Sequence, residues 1–340
     1  MGLFSFFTSD IAIDLGTANT IIIQNDKIVL DEPSIIAIDR TTNKPIAIGA
    51  KAQQMHGKTH KNIEIIRPLR NGVIADFNAA ELMIRGFLQQ INSRKGWINP
   101  SFRIVVCIPS GSTEVEIRAV RDSSEQAGAR EVYMIYEPMA AAIGVGIDVE
   151  APEGNMVVDI GGGTTEIAVI SLGGIVCSRS VRIAGDEFNN DILEHMRYNY
   201  DIKVGEKTAE TIKIEVGSAL TELENPPNDF IVKGPHQTSA YPLEIQVSYK
   251  DIANAIDKSI KKMEIAILQV LEETPPELYS DIYKNGIYLT GGGALLRGLD
   301  QRLTKKFNIQ FKVSEDPLHA VARGTGLALK NLHNFKFLMR

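Results

Sequence analysis

Asp14 and Asp159 each close an apolar run and stand two residues ahead of a glycine, in Ala12-Ile13-Asp14-Leu15-Gly16-Thr17-Ala18-Asn19-Thr20 and in Val157-Val158-Asp159-Ile160-Gly161-Gly162-Gly163-Thr164-Thr165. The two stretches align: Asp14 on Asp159, Gly16 on Gly161, Asn19 on Thr164 and Thr20 on Thr165. An apolar run that turns on glycine and resumes as an apolar run reads as a β-hairpin. Turn residues without a Cβ let main-chain N–H groups point outward together and approach an anion closely. Each hairpin therefore suits a phosphate, and for either copy alone a tight glycine turn without a ligand is an equally good reading. A repeat over this distance implies two related lobes that offer one hairpin each to a shared ligand. A third glycine turn, Gly291-Gly292-Gly293-Ala294, follows the run Gly286 to Thr290, and there the apolar spacing changes from strand-like to helical.

Two aspartates at the bases of facing phosphate hairpins repel one another unless a cation lies between them. Magnesium is the natural candidate, because it keeps several waters and takes one or two carboxylates together with phosphate oxygens. In this reading Asp14 and Asp159 act on the metal through water. The backbone of Gly16, Thr17, Ala18 and Asn19 and that of Gly161, Gly162, Gly163 and Thr164 hold the β- and γ-phosphates. Glu137 with Thr164 orients a water in line with the γ-phosphate, the positioning that dominates phosphoryl transfer, and Asp159 completes this catalytic set.

These residues need elements to carry them. Lys27 to Ile38 continues the first hairpin as strands broken by Pro33, and residues 39–71 read as an inserted small subdomain. Within it His56 and His60 are four apart with no acidic or cysteine partner at ligand spacing, which fits a solvated helix or loop better than a metal. Ala79 to Ile91 has helical spacing, Arg103 to Ile108 is a buried strand, and Thr113 to Ala127 is a helix with Val115, Ala119, Val120 and Ala127 along one side. Glu137-Pro138 ends the strand Val132 to Tyr136 ahead of the small-residue helix Met139 to Val145, which places the carboxylate at a cleft or simply in a first helical turn. Gly205 to Leu223 suggests a helix on which Glu206, Lys207, Thr208, Ala209 and Glu210 form either a salt-bridged face or the edge of a ribose and adenine site. Tyr249 to Leu271 is the longest amphipathic helix, stopped by Pro275-Pro276. Asp316 to Leu332 closes the chain as a helix.

Composition sets outer bounds. At 340 residues two domains and a large core are available. A hydrophobic content of 44% with 23% charged residues is that of a soluble globular protein, and no run approaches the ~20 apolar residues of a spanning helix. The net charge of −6 argues against a general nucleic-acid binder, which would show a basic face. Cys107 and Cys177 lie far apart without metal spacing, as reduced core thiols. The start, Leu3-Phe4-Ser5-Phe6-Phe7, lacks the features of an export signal, and its apolar residues are suited to docking in the core or on a lipid surface. Trp97-Ile98, in a polar turn, reads as a cover over the preceding helix end.

The hairpin motifs, Glu137-Pro138-Met139-Ala140-Ala141-Ala142 and Leu289-Thr290-Gly291-Gly292-Gly293 together resemble the actin, sugar kinase and heat-shock chaperone ATPase superfamily. Asp31-Glu32-Pro33-Ser34, Asn71-Gly72-Val73-Ile74-Ala75-Asp76, Ile108-Pro109-Ser110-Gly111, Gln126 to Arg130 and Ala184-Gly185-Asp186-Glu187-Phe188 are similar to one branch of it, the bacterial actin family MreB. The resemblance spans nearly the whole chain. It implies an α/β actin-like ATPase fold with four subdomains around a nucleotide cleft: lobe I over 1–148, to which 316–340 returns, and lobe II over 149–315 with a small subdomain at about 186–245. It further implies ATP and Mg2+, slow hydrolysis coupled to filament assembly, and paired protofilaments. The filament would lie on the inner face of the cytoplasmic membrane with membrane proteins of the wall-elongation machinery, maintaining rod shape. Trp97 and Ile98 then align with a membrane-contacting loop, with Leu3, Phe4, Phe6 and Phe7 as a second contact. A small-molecule kinase is the alternative within the superfamily. A chaperone ATPase is disfavoured, since little chain is left for a peptide-binding domain.

Overall fold

The computed structural model describes residues 8–92 and 101–340. The first lobe starts as a meander of β1 (Thr8–Leu15), β2 (Asn19–Gln24) and β3 (Lys27–Pro33). Asn25 and Asp26, both at positive φ, form the tight turn between β2 and β3. An insertion follows, with β4 (Ile36–Asp39), β5 (Pro45–Ile48), α1 (Ala50–Met55), β6 (Ile63–Ile66) and the short pair β7 (Leu69–Arg70) and β8 (Val73–Ile74). Its three-stranded sheet runs β5-β4-β6. β4, the middle strand of that sheet, starts ahead of residue 39, with Ile36 and Ala37 buried. The chain returns through α2 (Phe77–Asn92), β9 (Ser101–Ile108), α3 (Glu114–Gln126), β10 (Ala129–Tyr136) and α4 (Glu137–Gly144). The first sheet has the order β10-β9-β1-β2-β3.

The second lobe repeats the plan. A meander of β11 (Asn155–Ile160), β12 (Thr165–Ser171) and β13 (Gly174–Val181) leads to α5 (Gly185–Asn199), α6 (Glu206–Val216), the ribbon β14 (Phe230–Pro235) and β15 (Pro242–Val247), and α7 (Tyr249–Glu273). Then come α8 (Pro276–Asn285), β16 (Ile287–Thr290), α9 (Leu299–Phe307), β17 (Phe311–Val313) and α10 (Ala320–Lys330). Its sheet runs β13-β12-β11-β16-β17. In each sheet an antiparallel meander is extended by two parallel strands that return through helices, so β1 corresponds to β11 and β9 to β16. The pairing register confirms the alignment: Leu15 faces Thr20 in one hairpin, and Ile160 faces Thr165 in the other.

α4 and α10 lie between the two sheets, in a core shared by Val105 and Ile135 of the first and Val157, Ala168 and Ile170 of the second. Small residues let these helices touch backbone to backbone. A Cβ on Gly144 would overlap the Ala320 carbonyl oxygen, and one on Gly324 would overlap that of Ala140. The α7 stripe Ile252, Ile256, Ile260, Met263, Ile267 and Val270 is fully buried in the second lobe, as its spacing predicts.

Several elements depart from the sequence reading. α3 starts from a capping box of Thr113 and Glu116 and buries Ile117, Val120, Ser124 and Ala127, leaving Val115 78% exposed. Residue 115 sits in the first turn beside the cap, so its place on the apolar stripe puts it beyond the lobe's edge. Pro275-Pro276 ends α7 but also opens α8, because proline is well tolerated in the first turn of a helix. The third glycine turn enters a single 3₁₀ turn over Gly292–Leu295, and α9 begins only after Gly298, in the left-handed region. α6 stops at Val216, well before Leu223.

Candidate functional site

The two acidic hairpins meet between the lobes. Asp14 and Asp159 close β1 and β11, and each turn is held by the same bond: Gly16 N–H donates to Asn19 O at 3.1 Å, and Gly161 N–H to Thr164 O at 2.9 Å. The turns press against one another, since a Cβ on Gly162 would lie 2.8 Å from Ala18 Cβ and 3.2 Å from Ala18 N. One on Gly163 would lie 2.7 Å from Thr17 Oγ1 and 2.9 Å from Asn71 N. Glycine at these places lets the two turns approach this closely, with Gly161 and Gly162 half-buried and Gly163 and Thr164 buried between them. Ala18 and Asn19 are exposed, while the Thr17 hydroxyl accepts from Gly72 N–H at 2.9 Å. That bond ties the first turn to the Asn71-Gly72 loop.

Further groups brace the turns from outside. Ser34 Oγ donates to Gly16 O at 2.6 Å. The N-terminus of α5 donates from Gly185 and Asp186 to Gly161 O and Gly162 O at 3.1 and 2.8 Å. Gly291, at φ 77°, and Gly293 fold onto Ile160 where a Cβ would overlap it, and Ala294 is buried beneath them. All three glycine turns are therefore gathered at the ends of β1, β11 and β16.

Four carboxyls share the floor of this cleft. Asp159, Glu137 and Glu166 are buried, and Asp14 is partly so. Burial raises the Asp159 carboxyl to about 7 against the Thr290 hydroxyl, which donates to Oδ1 at 2.7 Å, and the Asp14 charge adds to the rise. Burial likewise raises Asp14 to about 6, opposed by the Cys107 thiol at 3.1 Å from Oδ1. Glu137, the first residue of α4, is pushed far above the carboxylate range by burial and then by Glu166, Asp159 and Asp14. Among the described residues none of the four is ion-paired, and no set of three or more His, Cys, Asp or Glu closes on a metal geometry. A cluster of carboxyls with no ion pair of its own, opposed only by the more distant His319 at Asp14, fits a cation completed by phosphate oxygens and water. His56 and His60 take no part in it.

The α6 residues lie beside the second turn rather than in it. Lys213 donates to Gly185 O at 3.0 Å, and Arg67, from the first lobe's insertion, reaches Asp186 and Glu206 at 4.0 and 3.8 Å across the cleft. Glu206 and Lys207 are exposed, Thr208 and Glu210 half-buried, and the Ala209 side chain belongs to the second lobe's core. Trp97, Ile98, Leu3, Phe4, Phe6 and Phe7 fall outside the described residues. Both cysteines are free thiols. Sequence reasoning missed Ser34, Cys107, Glu166 and Thr290, although Ser34 and Thr290 stand inside the quoted motifs.

A family model described as MreB/Mbl protein matches residues 8–337. The chain belongs to the MreB/Mbl family. It is 48% identical over 329 residues to the cell shape-determining protein MreB of Escherichia coli K12, covering 95% of this chain and 94% of that one. It is 44% identical over 327 residues to the cell shape-determining protein Mbl of Bacillus subtilis 168, covering 96% and 97%. The crystal structure of MreB5 of Spiroplasma citri bound to AMPPNP superposes with a TM-score of 0.89 at 38% identity, covering 96% of this chain and 97% of that one. The MreB/Mbl fold seen here is actin-like, and membership of a family of cell shape-determining proteins favours a cytoskeletal role over a small-molecule kinase.

Proposed function

We propose that this MreB/Mbl chain binds ATP with Mg2+ between its lobes, hydrolyses it slowly and polymerises into membrane-associated filaments. These would organise wall synthesis and maintain rod shape at the inner face of the cytoplasmic membrane, with self-association and wall-elongation membrane proteins as partners. The observation that carries the reading is the pair of mirrored glycine turns meeting above four carboxyls, three buried and one partly so, none of which is ion-paired among the described residues. Spiroplasma citri MreB5, known in AMPPNP- and ADP-bound structures, supports a nucleotide there.

In this reading Gly16 to Asn19 and Gly161 to Thr164 bind the β- and γ-phosphates through main-chain N–H groups. The segment Glu206 to Glu210 and the turn Gly291 to Ala294 flank ribose and base, Ala209 and Ala294 through backbone only, since their side chains are core. Asp14 and Asp159 hold the cation through water, and a bound Mg2+ would neutralise phosphate charge. Glu137 and Thr164, on opposite lobes, orient the attacking water. Lobe I is taken as 1–148 with 316–340, and lobe II as 149–315. Leu3, Phe4, Phe6, Phe7, Trp97 and Ile98 are the proposed membrane contacts, on the strength of sequence alone. Among the described residues no helix is long and apolar enough to cross a membrane.

Phosphate release and sedimentation with Mg-ATP test the whole reading. Glu137→Ala is expected to keep nucleotide binding and lose hydrolysis by roughly 10²–10⁴-fold. Hydrolysis at the normal rate in that variant, or no ATP-dependent pelleting of the unaltered chain, refutes it.

A further inference from the structure

Glu166 is fully buried on β12, two residues beyond Thr164, and the two water-orienting residues make no hydrogen-bonding use of it. Three donors converge on its carboxylate. Oε2 accepts from Ser110 N–H at 3.0 Å and from Ser110 Oγ at 2.6 Å, and Oε1 accepts from Ser180 Oγ. Ser110 belongs to the loop that leaves β9 in the first lobe, whereas Ser180 is on β13 of the second. The lobes are in close contact there, since a Cβ on Gly111 would lie 3.1 Å from Ser180 Cβ.

The strand register places this contact beside the chemistry. Tyr136 pairs with Ile108, so Glu137 and the Ser110 loop leave adjacent parallel strands side by side. Thr164 immediately precedes β12, which carries Glu166. The bond from Ser110 to Glu166 therefore joins two elements whose neighbouring residues are Glu137 and Thr164. We propose that Glu166 is a positioning residue for hydrolysis: by gripping Ser110 across the lobe boundary, it fixes how Glu137 of the first lobe meets Thr164 of the second. After burial, the Glu166 charge is also the largest influence on the Glu137 carboxyl, consistent with close approach. This proposal rests on the reading that Glu137 and Thr164 orient the water.

The test is single-turnover hydrolysis of prebound ATP by the full-length chain, which is insensitive to the folded fraction, alongside affinity for a fluorescent ATP analogue. Ser110→Ala is expected to slow the single-turnover step about tenfold or more, as ångström-scale misplacement of reacting groups does, with affinity within twofold. Glu166→Gln should retain most of the rate, because its amide oxygen still takes the Ser110 donors while its NH₂ faces a Ser180 hydroxyl free to reverse its role. Gly111→Ala, whose methyl would lie 3.1 Å from Ser180 Cβ and so forces the loop and β13 apart by a few tenths of an ångström with every hydrogen-bonding group in place, should also slow the step. It serves as the deciding variant if Ser110→Ala fails to fold. Unchanged rates in Ser110→Ala and Gly111→Ala overturn the proposal, and so does an affinity loss that matches the rate loss. Normal hydrolysis by Glu137→Ala would instead remove the underlying reading.

Discussion

Asp159 and Glu166 stand opposite one another across β11 and β12, at the register position where Asp14 faces Ile21 across β1 and β2. The repeat keeps one carboxylate in each lobe and adds a second only beside Asp159. In the ligand-free chain these buried charges repel, and a neutral side chain of the same shape relieves the strain. Asp159→Asn keeps the oxygen that accepts from Thr290. It is expected to melt at a higher temperature than the unaltered chain without ligand, yet to bind Mg-nucleotide about 10–100-fold more weakly. Thermal melts with and without Mg-ATP measure both. A lower ligand-free melting temperature with unchanged affinity contradicts the electrostatic account.

The same carboxyls set a pH dependence. Asp159 and Asp14 reach about 7 and about 6 in the folded chain against an ordinary value of 3.8. Over the interval between, the folded form holds protons that the unfolded form has released, so their contribution to ligand-free stability falls as pH rises from about 4 and levels off above 7. Cation binding needs the ionised forms and has the opposite trend. Mg-nucleotide affinity should increase from pH 5.5 to pH 7.5 and then flatten, as about two protons leave the site. Titration calorimetry in buffers of different ionisation enthalpy counts those protons, and a flat affinity across the range would show that the carboxyls ionise without the ligand.

Gly162→Ala probes the meeting of the hairpins. Its methyl would lie 2.8 Å from Ala18 Cβ, so one turn must retreat from the other. Because β11 and β12 are packed independently of this contact, the fold should survive. Affinity for ATP should fall at least about tenfold, as expected when a preformed cradle is displaced. Equilibrium binding with far-ultraviolet circular dichroism as a control decides it. Full affinity would place the phosphates away from the turn.

The hairpins, their mutual alignment and the long α7 were legible because each rests on local pattern: glycine at fixed offsets, or apolar residues at helical spacing. Glu166 was not. In sequence it is a polar residue opening a strand, and only the pairing of two lobes reveals that Ser110, fifty-six positions earlier, neutralises its burial by hydrogen bonding. Thr290 is similar, since its hydroxyl finds Asp159 across 131 positions. α8 was hidden for another reason, because a proline pair carries the same signal for ending one helix and for opening the next. Val115 shows the limit of periodicity, which gives a side of a helix without saying how far the covering core extends.

The proposed membrane contact is assigned to Trp97 and Ile98 from the sequence alone. A fully buried large apolar side chain contributes roughly 1.5–3 kcal/mol, so two partly inserted ones would hold a single subunit weakly, and repetition along a filament would be needed to make the attachment firm. Trp97→Ala with Ile98→Ala should leave nucleotide binding unchanged and reduce co-pelleting with liposomes when Mg-ATP is present. Undiminished pelleting would shift the contact to Leu3, Phe4, Phe6 and Phe7.

The pair α4 and α10 offers a sharper test of how the lobes are joined. At Gly144 an added methyl meets the Ala320 carbonyl, and at Gly324 it meets that of Ala140, so in both cases the obstacle is helix backbone that no rotamer change can move. Overpacking in a core costs about 1–3 kcal/mol where side chains can adjust, and Gly144→Ala should lie at or above the top of that range. Gly146→Ala is the control: it has nothing within 4 Å but sits at φ 86°, so only the backbone penalty of roughly 1–2 kcal/mol applies. Urea denaturation of the two variants separates the effects. A larger loss at Gly144 shows that the helix crossing between the sheets carries the stability, whereas equal losses would mean that the helices can slide apart and that the lobes are held elsewhere.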